Sequence, residues 1–221
     1  MTRIVDLTFP IEPHFRWPFE RRLIQDFAKG DAFQVTWLGI GVHGFTHVDA
    51  PRHMLADGAT TSATPLQATV GEAAVIDLTD VAADAAIGHE QLAARGSHVQ
   101  PGDIVLLKTC WDDRRSLGQP EFWTEAPYLD RGACEWLLAR SIRALGVDFP
   151  QDYPIRGLLS GKTASMDAFV SHDVLLRNGV ILIEYLCNLA SIEASRVEFV
   201  ALPLKLPNAD GAPARAVALL R

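Results

Sequence analysis

The stretch GVHGFTHVDAPRHM, residues 41–54, holds three of the seven histidines in this 221-residue chain, together with one aspartate. Its four candidate ligands all stand at odd-numbered positions: His43, His47, Asp49 and His53. Side chains alternate between the two faces of an extended strand, so this parity predicts that all four point to one side. A glycine, β-branched residues and a proline oppose a helix here. The stretch therefore predicts a strand end or a following loop that gathers three imidazoles and one carboxylate.

This combination of side chains favours a metal site. Imidazole nitrogens and carboxylate oxygens are ligands for zinc, manganese and iron. One ion held by His43, His47 and Asp49 would keep open positions for water, as a catalytic metal does. A lone histidine is more often an ordinary core residue, but burying four such groups without a metal would leave polar atoms in need of partners. The residues thus predict a divalent-metal site, with structural coincidence as the alternative.

The rest of the chain alternates short apolar runs with turn residues. Seven runs rich in Val, Ile and Leu are bounded by Gly, Pro or Asp and predict strands: residues 3–9, 33–42, 73–79, 103–109, 179–185, 197–204 and 214–220. Apolar residues at helical spacing predict helices over 88–96, 131–146 and 171–179, with Ser171 as the N-cap and Gly179 as the terminator of the last. Because strands and helices alternate irregularly, we predict an α/β or mixed α+β fold with a mixed sheet flanked by helices.

Composition narrows the class of protein. The apolar fraction of 48% and the charged fraction of 21% are typical of a globular protein, and we expect one domain over residues 1–221. The net charge of −7 argues against nucleic-acid and anionic-membrane partners. The opening MTRIVDLTFPIEP lacks the apolar run of a signal peptide, so we expect a cytoplasmic protein. In a reducing compartment we expect three free thiols: Cys110, Cys134 and Cys187. Residues 109–131 are predicted to form a long surface excursion.

The histidine-rich stretch contains HGFTHVDAPRH, which resembles the HxGTHxDxPxH signature of the metal-dependent cyclase/hydrolase family. Bacterial kynurenine formamidase and isatin hydrolase belong to that family. Four further segments resemble the family pattern: DLTFPIEP (6–13), RWP (16–18), SHDVLLRNGVILIEYLCNL (171–189) and ALPLKLPNADGAPARAVAL (201–219). The resemblance covers nearly the whole chain. It implies a swivelling β/β/α-type domain that forms a homodimer.

The resemblance also implies a site for two divalent ions per subunit, zinc or manganese. His43, His47 and Asp49 would hold the first ion. Asp49 would bridge to a second ion bound by His172, and Glu184 would contact both. A carboxylate within the apolar run VILIEYL is costly to bury unless it is paired or bound to metal. An ion pair with an arginine is therefore the alternative for Glu184.

Three more residues are implied to face the substrate. His53 would be the catalytic histidine, weakly ligating or not ligating at all, and Trp17 would line the pocket. The family usually has glycine where this chain has Phe45. Because Phe45 shares the parity of the ligands, we expect its ring to face the pocket and narrow it. Trp17 and Phe45 are thus the candidate contacts for an aromatic substrate.

The implied chemistry is hydrolysis. A divalent ion lowers the pKa of bound water towards neutrality and polarises a carbonyl group, and His53 would move the proton to the leaving nitrogen. The implied substrate is a small aromatic amide, formamide or lactam resembling N-formylkynurenine or isatin, which would place the enzyme in tryptophan catabolism. Three alternatives remain open: a metal-dependent cyclase or lyase, a lactone hydrolase, and a binding protein whose metal is not catalytic.

Overall fold

The computed structural model of the protein describes residues 2–220. Within this range the chain forms strands β1–β12: Arg3–Asp6, Phe19–Gln25, Val35–Ile40, His47–Asp49, Val70–Asp77, Ala86–Ile87, Ile104–Lys108, Tyr128–Leu129, Ala144–Val147, Ile181–Glu184, Arg196–Pro203 and Gly211–Leu220. It also forms helices α1–α6: His89–Arg95, Trp111–Arg114, Pro120–Thr124, Arg131–Ala139, Ile155–Leu158 and Val170–Val174. Among these described residues, no helix has the length and apolar character needed to cross a membrane.

Eight strands form one mixed sheet in the order β1-β12-β11-β5-β7-β9-β10-β4. The central strands β5, β7, β9 and β10 run parallel to one another, whereas β1, β12, β11 and β4 pair antiparallel with their neighbours. Strand β4 also pairs with β12, so the strands from β12 to β4 close into a ring. Asp49 on β4 stands opposite Leu182 of β10 and Gly211 of β12. The histidine-rich stretch thus supplies the strand that closes the ring.

The central strands are buried on both faces. Ile76 and Leu107 belong to a cluster that includes Trp111 of α2 and Leu137 of α4, whereas Val75 and neighbouring alternate residues belong to a second cluster built from the strands. Strands covered on both faces are almost continuously apolar, as the sequence IVLLK of β7 is. The predicted mixed α+β fold, with a mixed sheet flanked by helices, is confirmed.

The predicted helix over residues 131–146 is wrong in its second half. Helix α4 ends at Ala139, Ser141 adopts a left-handed conformation with φ 55°, and β9 then enters the sheet between β7 and β10. A Cβ on Gly146 would come within 2.7 Å of the Leu106 side chain, so the glycine allows close strand packing and does not end a helix. Short buried runs of Leu, Ala and Val look alike in a helix and in a strand, which explains the error.

The predicted surface excursion over residues 109–131 is also corrected. This segment forms α2, α3 and β8, and its tryptophans are core residues. The indole N–H of Trp111 donates to the Phe122 carbonyl at 2.9 Å, and that of Trp123 donates to the Leu117 carbonyl at 3.1 Å. Satisfied indole groups allow both rings to be fully buried. The segment therefore packs into the core beside the predicted site, where Trp123 contacts Trp17 and Tyr185.

Strands β2 and β3 form a separate two-stranded hairpin. Only β3 was predicted, because the sequence FERRLIQ of β2 alternates polar and apolar residues too irregularly to stand out. Several large apolar side chains on and around this hairpin are exposed: Ile24, Phe27, Phe33, Trp37 and Leu38. The hairpin is thus an apolar surface that the fold leaves uncovered in a single chain.

Candidate metal centre

The closing strand and its neighbour bring three candidate ligands together. His47 of β4 pairs directly with Glu184 of β10, and Asp49 lies on the same face as His47. The His47 Nε2 atom is 3.2 Å from Asp49 Oδ1 and 3.5 Å from Glu184 Oε2. All three residues are buried, with 0%, 0% and 4% exposure for His47, Asp49 and Glu184. The ligand atoms of these three side chains therefore lie close together at the point where β4 closes the ring of strands.

The remaining histidines approach the same carboxylates. His43 Nδ1 lies 2.7 Å from Asp49 Oδ1, and His172 Nε2 lies 3.4 Å from Asp49 Oδ2 and 3.5 Å from Glu184 Oε1. The ring of His53 packs against that of His43 with the centroids 3.9 Å apart. The structure thus gathers all six residues predicted as ligands or catalyst: His43, His47, Asp49, His53, His172 and Glu184.

The donors form two groups that share Asp49. Ligand atoms of His43, Asp49 and His53 lie within 4.8 Å of one another, and so do those of His47, Asp49 and Glu184. The resemblance implied a different division, with His47 beside His43. A shared carboxylate between two groups is the arrangement that the resemblance implied for Asp49.

Parity accounts for only part of this convergence. The strand covers His47–Asp49, and His53 ends a 3-10 turn that begins at Pro51. His43 precedes a turn in which Phe45 is left-handed, with φ 58°. The chain therefore folds back on both sides of the strand, and these turns deliver His43 and His53 to Asp49.

Three histidines at the centre, His43, His47 and His172, each turn one ring nitrogen towards the central carboxylates. The other ring nitrogen of each contacts an oxygen atom outside the cluster. The outer contacts are His43 Nε2 to Asp210 Oδ2 at 2.8 Å, His47 Nδ1 to the Phe45 carbonyl at 2.8 Å, and His172 Nδ1 to Asp152 Oδ2 at 2.6 Å. Such contacts fix the ring orientation and leave the inner nitrogen free to bind a cation, as is usual for metal-ligating histidines.

Sequence reasoning missed three of the supporting residues. Gln151 donates from its amide to Glu184 Oε1, and Asp152 also accepts from the Ser171 hydroxyl at 2.6 Å. Gln151 and Asp152 both follow β9, the strand that was predicted to be part of a helix. Ser171 itself is not the predicted N-cap, because α6 begins at Val170. The third residue, Asp210, lies in the carboxy-terminal segment that already resembled the family, so a signal for it was present.

The centre strongly favours positive charge. Burial alone would lower the pKa of His43, but its contacts with Asp49 and Asp210 raise it to about 9. Burial opposes the charged form of His172 as well, yet Asp152 and Asp49 hold its pKa well above the ordinary value. Burial would raise the pKa of Asp49, but the surrounding histidines, His47 foremost, hold it well below the ordinary value. The carboxylates thus attract cations to this point.

The residues fit a divalent ion. His47 Nε2 and Asp49 Oδ2 are buried without a hydrogen-bond partner, although both atoms lie at the centre of the cluster. Unpartnered buried polar atoms are costly. An ion bound between them would give each atom a partner, and nitrogen and carboxylate donors suit zinc and manganese. The structure and the donor set therefore support a divalent-metal site.

The cluster opens into a cavity of about 570 Å³. Its lining combines the candidate ligands with an apolar wall that includes Trp17, Met54, Phe169 and Tyr185. His53 is partly exposed at this wall, and burial holds its pKa below the ordinary value for histidine. A concave, mostly apolar space with a few converging polar groups is typical of a small-molecule site.

Trp17 lies where it was predicted, but Phe45 does not. The Phe45 side chain is 1% exposed and packs behind Trp17, with ring centroids 4.8 Å apart, so it does not line this cavity. The alternation rule for strands does not apply to Phe45, because this residue precedes the strand and has a left-handed backbone conformation. That conformation is strained for a side chain other than glycine, which accounts for the glycine usual in the family at this position. Its carbonyl holds His47, so Phe45 supports the site from behind.

Comparison with known proteins gives the family. Residues 5–151 match the Cyclase family model, and the chain belongs to this family. Kynurenine formamidase from Bacillus cereus is 28% identical over 219 residues, covering 96% of this chain and 95% of that protein. The structure of isatin hydrolase A from Labrenzia aggregata superposes with a TM-score of 0.83 at 25% identity, covering 99% of this chain and 94% of that one. A Bacillus stearothermophilus protein described as a predicted metal-dependent hydrolase matches with a TM-score of 0.77 at 28% identity, over all of both chains.

Proposed function

We propose that the protein is a divalent-metal-dependent amidohydrolase that acts on C–N bonds other than peptide bonds. Its substrate is a small aromatic amide, formamide or lactam. The observation that carries the proposal is the buried cluster around Asp49, with its unpartnered donor atoms, at the floor of an apolar cavity. Similarity to a kynurenine formamidase and to an isatin hydrolase supports the same bond type and the aromatic substrate.

The proposed ligands are five residues at the centre: His43, His47, Asp49, His172 and Glu184. Asp49 belongs to both groups of donors, which supports a site for up to two ions. A bound zinc or manganese ion supplies Lewis acidity, which acidifies water and polarises an amide carbonyl. Gln151 and Asp152 orient Glu184 and His172 through their hydrogen bonds. The chain thereby keeps the ligands in place before substrate arrives.

His53 is the proposed proton carrier. Its Nδ1 faces Asp210 at 3.4 Å, which leaves Nε2 for the cavity. A neutral imidazole there can accept a proton from the attacking water and return it to the leaving nitrogen. Trp17 and Tyr185, whose ring centroids lie 5.6 Å apart, offer flat apolar surface for the aryl group and exclude water beside it.

The proposal is tested by hydrolysis of N-formylkynurenine and isatin by chelator-stripped protein, before and after zinc or manganese is added. We expect negligible turnover without metal and restored turnover of at least one substrate with metal. Protein that binds the metal and cleaves neither substrate would contradict the proposed activity. Turnover that resists chelation, in protein verified to be metal-free, would contradict the metal dependence.

His53→Gln separates catalysis from metal binding. We expect turnover to fall by about 100-fold or more, because a positioned general acid–base contributes roughly that much, while metal content stays unchanged. Turnover and bound metal are measured on the same preparations. His89→Gln on the exposed face of α1 is the matched control and should change neither quantity. Loss of metal in His53→Gln would instead identify His53 as a ligand.

We also propose that residues 1–221 form one domain that assembles as a homodimer in the cytoplasm. Pairing of β1 with β12 joins the two ends of the chain and supports the single domain. The exposed apolar side chains of the β2–β3 hairpin support self-association. The three free cysteines suit a reducing compartment. Sedimentation tests the dimer: the wild type should be dimeric, and Leu38→Lys, which places a charge on the apolar hairpin, should favour the monomer. A monomeric wild type would contradict the proposal.

A further inference from the structure

Arg16 is an unpaired cation at the wall of the candidate active-site cavity. It is the only arginine or lysine among the residues that line the cavity. The ion pairs found among residues 2–220 do not include it, whereas eight other arginines of this range have a carboxylate partner. The protein carries a net charge of −7, so partners for an arginine are not scarce. An unpaired guanidinium at this place is therefore available to a ligand.

Aromatic contacts hold Arg16 in place. Its guanidinium carbon lies 4.6 Å from the ring centroid of the buried Trp123. Its backbone N–H donates to His14 Nδ1 at 3.1 Å, and the His14 ring stacks on Trp17 with centroids 4.5 Å apart. A guanidinium that is stacked on one face keeps its N–H groups free at the edge, where they can bind a carboxylate with two parallel hydrogen bonds.

A line of aromatic rings connects this cation to the candidate metal centre. The Tyr185 ring centroid lies 5.5 Å from that of His47 and 5.2 Å from that of Trp123, over which Arg16 is stacked. The positive charge and the proposed reacting centre thus stand at the two ends of an aromatic wall. A substrate with an aryl group against this wall could present its amide to one end and an acidic group to the other.

The space around Arg16 has room for a substrate tail. A second cavity, of about 650 Å³, adjoins the first, and Arg16, Trp17 and Leu158 line both. Arg16 therefore stands at the passage between the cavity that contains the candidate metal ligands and a more open groove. A carboxylate carried on a short side chain of the aryl ring would lie within this passage.

We propose that Arg16 is a specificity-determining residue that binds a carboxylate of the substrate. The preferred substrate is then an aromatic amide with an acidic tail, and neutral formanilides and lactams are poorer substrates. This inference rests on the proposed amidohydrolase function, and its test also includes a measurement that does not need turnover.

The kinetic test compares two substrates that share a formanilide group: N-formylkynurenine, whose ortho acyl side chain ends in an ammonium and a carboxylate, and formanilide, which lacks this side chain. N-formylkynurenine carries a carboxylate, and formanilide does not. We expect Arg16→Met to lower kcat/KM for N-formylkynurenine by about 10- to 100-fold, as expected for loss of a hydrogen-bonded charge partner, and to change kcat/KM for formanilide less than about twofold. Arg16→Lys should keep part of the preference. Equal losses on both substrates, or no loss on either, would overturn the inference.

Arg140→Met is the matched control. Arg140 is likewise stacked on a tryptophan, with its guanidinium carbon 4.7 Å from the Trp136 ring centroid, and it lies outside both cavities. Removing this charge should change kcat/KM for neither substrate. A selective loss on N-formylkynurenine in Arg140→Met would mean that the overall charge of the protein selects the substrate, and it would overturn the role of Arg16.

Calorimetric binding of kynurenine decides the inference without hydrolysis. We expect Arg16→Met to weaken binding by about tenfold or more relative to the wild type and to Arg140→Met. Equal affinity in all three proteins, or no binding to the wild type, would overturn the carboxylate site. If the wild type binds kynurenine through Arg16 but hydrolyses neither substrate, the proposed function fails and the carboxylate site stands.

Discussion

Asp210 connects two histidines through one carboxylate oxygen. Its Oδ2 lies 2.8 Å from His43 Nε2 and 3.4 Å from His53 Nδ1. The backbone carbonyl of Asp210 accepts the Ala50 N–H at 2.9 Å, which fixes it beside the closing strand. Asp210 therefore orients a proposed ligand and the proposed proton carrier together.

Asp210→Asn is expected to weaken metal binding by about 10- to 100-fold, as loss of a carboxylate behind a ligating histidine usually does. The amide keeps the size of the side chain but no longer supplies a negative charge to the His43 ring. Competition with a chromogenic chelator measures the affinity for zinc. Asp57→Asn, an exposed position, makes the same chemical change and should leave the affinity unchanged. Wild-type affinity in Asp210→Asn would show that His43 needs no outer carboxylate.

Four of the six central residues could be predicted from their density in one short stretch: His43, His47, Asp49 and His53. His172 and Glu184 were predicted from the resemblance to the family, and the cost of burying a carboxylate in an apolar run supported Glu184. The alternation of side chains along a strand could not predict that Phe45 has a positive φ angle. The left-handed Phe45 turns its ring into the core and its carbonyl towards His47. Only the departure from the family glycine marked this position as unusual, and it did not indicate where the ring would go.

At the scale of elements, residues that follow the carboxyl ends of the parallel strands support the candidate site. Asp148 follows β9 and accepts the Thr109 hydroxyl at 2.6 Å and the Cys110 N–H at 2.7 Å, both from the segment after β7. Gln151 and Asp152 follow three and four residues later. Asp148 thus fixes the loop that carries the partners of Glu184 and His172. Ligand sites at the carboxyl ends of strands are a general feature of parallel sheets.

The stability of this element should depend on pH. Burial and the nearby Asp112 raise the pKa of Asp148 to about 7, against the hydrogen bonds it accepts. A raised pKa in the folded state favours the protonated form, so stability is full below the unfolded pKa and is lost as pH rises towards 7. Between pH 5 and pH 8 the free energy of unfolding of the wild type should fall by about 2–3 kcal/mol relative to Asp148→Asn.

Urea unfolding of both proteins at the two pH values measures this difference. Asp77→Asn is a useful control, because the pKa of Asp77 is lowered to about 2 beside Lys108 and lies outside the range. A constant difference between wild type and Asp148→Asn would show that Asp148 is ionised throughout.

Element boundaries limited the sequence prediction more than residue chemistry did. Helix α1 and the terminator Gly179, with φ 86°, were predicted correctly because local signals define them. Strand β9 was not, because burial on both faces removes the alternation that marks a strand. With the strand lost, the polar residues after it could not be placed at the carboxyl edge, and Gln151 and Asp152 were missed.

At the scale of the whole molecule, the proposed metal site lies at the closure of the ring. Strand β4 has three residues and pairs with β10 on one side and β12 on the other. Glu184 comes from β10, and Asp210 directly precedes β12. An ion at the centre would therefore connect side chains from the 43–49 segment, α6 and β10, with Asp210 supporting His43 from outside, and binding should stabilise the folded state as a whole.

Metal addition should accordingly raise the melting temperature of stripped protein. At a metal concentration 100 times the dissociation constant, the gain is about 2.7 kcal/mol, and it grows with concentration. Differential scanning calorimetry with zinc or manganese measures the shift. Magnesium prefers oxygen ligands and should produce little change at the same concentration. An equal shift with magnesium would indicate general ionic effects and not a histidine-based site.

The position of Asp49 has an evolutionary consequence. In the metal-free fold the Asp49 carboxylate is the common partner of His43, His47 and His172, so an apolar residue there would leave buried imidazoles unpaired and destabilise the ring closure. The same replacement would remove the donor common to both ligand groups. Selection for folding and selection for chemistry therefore act in the same direction at this one codon, and a descendant that lost the activity would keep Asp49 until its histidine partners were replaced as well.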